Sequence, residues 1–138
     1  MTILVLAEKP NQGKKYANAL GINDEKGTYI EGYSSILQEQ TIVTWAKGHL
    51  VGLCDFKEYD SKYEKWNLQD YPFIPSQMKR KVLPNTSQQF YEIKKLIETN
   101  LNTKNDSIII ATDPEREGEN IVYSILNFIP VSYTHLRF

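Results

Sequence analysis

Apolar positions along this chain gather into a few short, well-separated clusters. Ile3 to Ala7 reads ILVLA, a continuous run rich in branched residues. Such a run predicts a strand buried on both faces, as in a parallel sheet. Thr41 to Trp45, TIVTW, and Ser107 to Ala111, SIIIA, predict two more strands. Elsewhere the period becomes helical. Phe90, Ile93, Ile97 and Leu101 recur on one helix face, and so do Ile121, Val122, Ile125, Leu126 and Ile129. A further helix is predicted from about Gln12 to Leu20, with Gly21 where a C-cap glycine belongs.

The polar positions punctuate these elements. Thr86 and Gln89 fit a capping box, although Thr86 equally suits the position outside it. Asp113 and Pro114 read as an N-cap followed by proline at the first helical position. Asn102 to Asp106, NTKND, is a turn, and Val131 to Phe138 suggests one last strand. Residues 22–40 show no clear period. Residues 54–76, rich in Asp, Tyr, Lys and Pro, predict a long loop or insertion, functional or packed by its own aromatics, within a loop-rich stretch at 54–85.

Strands alternating with helices predict an α/β domain with a mainly parallel sheet. Ligands of such sheets sit off the carboxyl ends of the strands. Glu8 directly follows ILVLA, and Asp113 follows SIIIA. If those strands are neighbours, both acids face one crevice.

Composition sharpens the picture only in part. The 138 residues suit one domain, and 41% of them are hydrophobic, enough to bury a core. A net charge of -1 excludes a globally basic surface, so any nucleic-acid contact must be local. Lys14-Lys15, Lys79-Arg80-Lys81 and Lys94-Lys95 are the local clusters, and each also suits a solvated face. Cys54 is the only cysteine, so an intramolecular disulfide is excluded and an intracellular location is the default. No apolar run approaches the roughly 20 residues of a membrane span.

The candidate chemistry lies in ATDPEREGEN, residues 111–120. Asp113, Glu115, Glu117 and Glu119 occupy every second position, offset only by Arg116. A helix dipole favours acids near its start by roughly 0.3–1 kcal/mol each, which accounts for one or two of the four. A full cluster at a strand end needs a cation or a shared proton. A hard ion such as Mg²⁺ takes one or two carboxylates and completes its shell with water and substrate phosphate, an arrangement suited to phosphoryl transfer. Glu8 then reads as the proton handler, a general acid. Lys9 either holds phosphate charge or is a surface lysine. Arg116 either contacts phosphate or pairs with a neighbouring Glu. Gly118 permits close backbone approach to a ligand or serves helix packing. Gly13-Lys14 lacks the upstream glycine of a phosphate-binding P-loop.

AEKP at 7–10 and TDPEREGE at 112–119 resemble the Toprim domain shared by topoisomerases and primases, which carries a Glu after its first strand and a D-x-D motif after a later one. WAKGHLVGL at 45–53, KWNLQDYPFIP at 65–75 and TSQQFYEIKKLI at 86–97 narrow the resemblance to type IA DNA topoisomerases of the bacterial topoisomerase III kind. It spans about residues 1–130. It implies a Rossmann-like Toprim fold, with Glu8 as general acid, Lys9 on phosphate, and Asp113, Glu115 and Glu117 on Mg²⁺. It places His49 near the DNA backbone, a residue otherwise readable as merely packed or exposed. The implied protein is an ATP-independent isomerase acting on single-stranded DNA in the bacterial cytoplasm, associated with the nucleoid.

Two departures stand out. Glu115 replaces the second Asp of D-x-D, moving its carboxylate out by one methylene. The resemblance also implies several hundred further residues, carrying the nucleophilic tyrosine and the other domains of the enzyme. Tyr133, in the poorly matching VSYTHLRF, reads as a strand or tail residue instead. Two other readings compete: a stand-alone Toprim nuclease or primase-type domain, and a non-catalytic α/β module whose acids only cap helices.

Overall fold

The computed structural model of the chain describes residues 1–129 and the backbone of residues 136–137. The elements, in order, are β1 (Thr2–Ala7), α1 (Pro10–Ala19), β2 (Asp24–Glu25), β3 (Tyr29–Ser34), β4 (Glu39–Trp45) and β5 (Val51–Leu53), then β6 (Arg80–Val82), α2 (Ser87–Asn100), β7 (Ser107–Ala111), α3 (Arg116–Leu126) and β8 (Leu136–Arg137). Among the described residues, six strands form one sheet in the order β2-β3-β4-β1-β7-β8. β1 lies at its centre, parallel to both β4 and β7, and β8 extends the parallel part. β2 and β3 add an antiparallel edge. The mainly parallel α/β sheet expected from the apolar runs is the one that forms.

The continuous apolar run of β1 follows from its position. Leu4 and Leu6 belong to a core shared with Phe90, Ile93 and Ile97 of α2 and Ile121, Val122 and Ile125 of α3. Ile3, Val5 and Ala7 belong to a second core with Ala17 of α1, Ile30, Val43 and Trp45. Alternate side chains of a strand point to opposite faces, so a strand covered on both faces must be apolar at every position. Burying each such Leu or Ile stabilises the fold by roughly 1.5–3 kcal/mol. Gly13 of α1 packs directly on Trp45, and an added Cβ would lie 2.5 Å from Cε3 of its ring. That glycine serves packing.

Several helix boundaries differ from the sequence expectation. α1 begins at Pro10, two residues early, because a first-turn proline lacks only an N–H that would have no partner inside the helix. The capping box at Thr86 does not form. The Thr86 hydroxyl donates to the carbonyls of His49 and Leu83 at 3.4 and 3.5 Å. Gln89 is buried instead, and its Nε2 donates to the carbonyl of Trp45 at 2.6 Å. A long-range bond in the core has displaced the local cap. α3 likewise begins at Arg116, with Glu115 rather than Asp113 as its N-cap. The backbone of Asp113 is committed elsewhere, its carbonyl accepting from Glu115 N at 2.7 Å in a tight turn.

The unassigned residues 22–40 contribute the sheet edge, where only Ile30 and Ser34 of β3 are buried. The long insertion forms three short 3₁₀ turns between β5 and β6, which pair as a separate antiparallel ribbon. Its rings pack on one another: Phe56, Tyr59 and Tyr63 surround Phe73 at centroid distances of 5.1, 5.3 and 4.6 Å. Of the last strand expected at 131–138, Leu136–Arg137 pairs with β7, and the rest, including Tyr133, lies outside the described residues. Among the described residues, no helix is long and apolar enough to cross a membrane.

Candidate active site

The register of the sheet builds the site. Ile3 to Ala7 of β1 pair in parallel with Ser107 to Ala111 of β7, so the two strands end level. Glu8 leaves one strand end and Asp113 follows the other by two residues. The two corners meet: the backbone N–H of Asp113 donates to Glu8 Oε2 at 3.4 Å. Glu8 is 8% exposed, whereas the Asp113 side chain is about half exposed.

Lys9 offsets the negative charge. Its Nζ lies 3.0 Å from Glu8 Oε1 and 3.9 Å from Asp113 Oδ2. The hydrogen bond to Glu8, then the charges of Glu8 and Asp113 and more weakly of Glu117, raise the Lys9 pKa above its ordinary value. The amine is solvent-exposed, so this pairing is screened and adds little to fold stability.

Gln12 ties the two corners together. Its Oε1 accepts from Glu8 N at 2.9 Å, and its Nε2 donates to Asp113 Oδ1 at 2.9 Å. One turn into α1, it holds an acid from each strand end at once. Sequence reasoning missed this role, and no spacing signal reveals it, because the partner lies 101 residues away. Gly118 completes the close approach. An added Cβ there would lie 3.1 Å from Glu8 Oε2 and would collide with the backbone carbonyl of Asp113.

The remaining candidates lie in an adjoining cleft of about 800 Å³. His49, Glu115, Arg116 and Glu117 line it, together with Glu119 and Tyr123. His49 Nε2 is 3.4 Å from Glu117 Oε1. The other side of the corner is a smaller cleft of about 380 Å³, lined by Lys9, Gln12, Lys15 and Asp113. The structure therefore unites Glu8, Lys9 and Asp113, and groups His49 with Glu115, Arg116 and Glu117 in the adjoining cleft, with Glu117 within electrostatic reach of Lys9.

Among the described residues, no three His, Cys, Asp or Glu side chains are gathered as a ready-made metal cage. The donor chemistry still fits a hard divalent ion. Asp113 presents a half-exposed carboxylate at the corner, and such an ion needs only one or two carboxylates.

Residues 3–138 match the Toprim domain family. The chain belongs to that family. Toprim domains are generally metal-binding, in keeping with the oxygen donors at the corner. This Toprim chain is also similar to three staphylococcal proteins named DNA topoisomerase 3. It is 45% identical over 127 residues to the protein of Staphylococcus epidermidis, 42% to that of Staphylococcus saprophyticus and 44% to that of Staphylococcus aureus. Each alignment covers 92% of the chain and 17% of the relative, so the chain spans about a sixth of the length of these relatives.

Proposed function

We propose that this Toprim chain supplies the acidic, metal-assisted half of a type IA DNA topoisomerase site of the topoisomerase III kind. The reaction is transient cleavage and religation of a single DNA strand. The observation that carries the reading is the meeting of Glu8 and Asp113 across neighbouring parallel strands, with Lys9 bridging them.

In this reading a tyrosine outside the chain attacks a phosphodiester of single-stranded DNA. A bond forms between its oxygen and the 5′ phosphate, and the bond to the 3′ oxygen breaks. Glu8 gives that leaving oxygen its proton and takes it back on religation. An incoming phosphate competes for Lys9, which moves its charge from Glu8 to the attacked group. Asp113, with Glu115 or Glu117, would hold Mg²⁺, which when bound neutralises phosphate charge and orients the strand. Arg116 and His49 contact the DNA backbone beside the cleft they line. The other domains of the same polypeptide and single-stranded DNA are the partners, and the setting is the nucleoid of a bacterial cytoplasm.

The purified chain should bind Mg²⁺ and single-stranded DNA weakly and cleave neither single nor double strands. Relaxation of supercoiled DNA by the chain alone would contradict this reading. Metal-dependent nicking that disappears in Asp113→Asn would favour a stand-alone nuclease instead. In a longer polypeptide that includes the tyrosine, Glu8→Gln should slow cleavage and religation together by about 10²–10⁴-fold.

A further inference from the structure

The two oxygens of the Asp113 carboxylate face different partners. Oδ1 accepts from Gln12 Nε2 at 2.9 Å, and Oδ2 lies 3.9 Å from Lys9 Nζ. Gln12 is an uncharged donor, fixed from its other end by Glu8 N. Lys9 instead brings a full positive charge to the oxygen that Gln12 leaves open. The two parts of Lys9 differ in freedom. Its backbone is fixed at the start of α1, where its carbonyl accepts from Gly13 N at 3.0 Å. Its side chain is 63% exposed and lines the cleft of about 380 Å³ beside the corner. A flexible four-carbon stem of this kind carries its ammonium from one partner to another without moving the backbone. The pairing with Glu8 Oε1 at 3.0 Å keeps the amine at the corner until a ligand draws it off.

We infer that the Lys9 ammonium and a divalent cation compete for Asp113, so that the metal and a DNA phosphate bind this corner cooperatively through Lys9. Two cations on one carboxylate repel each other at close range. A metal ion on Asp113 therefore turns the lysine outward, where a phosphate receives it. A phosphate that draws the lysine away leaves the Asp113 charge uncompensated, and the metal then binds more tightly. These are one coupling seen from either ligand, so the two effects are equal in size. The inference rests on the metal and phosphate reading above and adds the linkage between the two ligands of that site.

The sign of one substitution tests it. The full chain and its Lys9→Met variant are titrated with Mg²⁺ at low ionic strength, and the backbone amides of residues 8 and 113 are followed by NMR. Lys9→Met keeps most of the stem and removes the charge. It should bind Mg²⁺ about two-fold to ten-fold more tightly than wild type. Lys9→Arg keeps the charge and should stay within about two-fold of wild type. Dimethyl phosphate, a phosphodiester with a single charge, should raise the Mg²⁺ affinity of wild type by about five-fold and that of Lys9→Met by clearly less. Equal Mg²⁺ affinity in wild type and Lys9→Met makes Lys9 a bystander and overturns the inference. Weaker binding by a folded Lys9→Met makes it a support for Asp113 and also overturns it. So does phosphate coupling of the same size in both proteins, which is direct attraction between phosphate and metal. Each of these outcomes leaves the metal site standing. Absence of saturable shifts at both corners, in wild type and Lys9→Met alike, removes the site and the inference together.

Discussion

Gly118 abuts the backbone of Asp113 so closely that an added Cβ would collide with the Asp113 carbonyl and come within 3.1 Å of Glu8 Oε2. A glycine inside a helix is ordinarily a weakness, costing about 1 kcal/mol relative to alanine. Here it is the condition for α3 to start against the corner that holds both acids. Gly118→Ala is therefore expected to lose stability by about 1–3 kcal/mol, since the obstructing atom is backbone and cannot rotate away. Chemical denaturation of the variant measures it. A more stable variant would mean that the helix start yields freely and that the corner is not tightly built.

Gln12 is expected to act on ligand affinity more than on the fold. Gln12→Ala removes the donor to Asp113 Oδ1 and the acceptor for Glu8 N. Stability should change by about 1 kcal/mol or less, because both released groups reach water or a neighbour. Divalent-ion affinity should fall by about ten-fold as the Asp113 carboxylate loosens, the usual scale of an outer-shell loss. Calorimetric titration with Mg²⁺ reads this, and unchanged affinity would show Gln12 to be a bystander.

Asp106 predicts an acid-sensitive fold. This buried residue accepts from Thr2 N at 2.7 Å through Oδ1, and from Asn102 N, Thr103 N and the Thr103 hydroxyl through Oδ2 at 3.0, 2.7 and 2.9 Å. Burial pushes its pKa up, but these hydrogen bonds together outweigh burial and hold it below the ordinary aspartate value. A depressed pKa means that the folded state favours the charged form. The stabilisation is therefore complete above the ordinary aspartate pKa of about 4 and fades as pH falls through the lower folded value. Asp106→Ala should cost about 1–3 kcal/mol at neutral pH, where the N–H groups lose their acceptor. The gap from wild type should narrow near pH 3. A gap that stays constant from neutral to acid pH would refute the charged-acceptor account.

The parts of this fold that were legible are those where one residue type has one physical use. Strands covered on both faces must be apolar throughout, so β1, β4 and β7 stood out as ILVLA, TIVTW and SIIIA. Their parallel pairing then placed Glu8 beside Asp113, as the crevice argument expected. What stayed hidden depends on partners distant in the chain. Gln89 fitted a local cap, yet its amide reaches the carbonyl of Trp45, 44 residues away. Asp113 fitted an N-cap, yet its N–H turns to Glu8 across the sheet. β2 and β3, at the antiparallel end of the sheet, were illegible because most of their side chains meet water, and polar residues there erase the apolar period.

The central claim is that the corners after β1 and β7 form one site for a divalent cation and phosphate. It is tested most directly by following the backbone amides of the chain by NMR during titration with Mg²⁺. The account predicts saturable shifts clustered at Glu8, Lys9 and residues 113–117, abolished by Asp113→Asn while the remaining spectrum stays that of the folded chain. Shifts absent from both corners, or unaltered by Asp113→Asn, would contradict it.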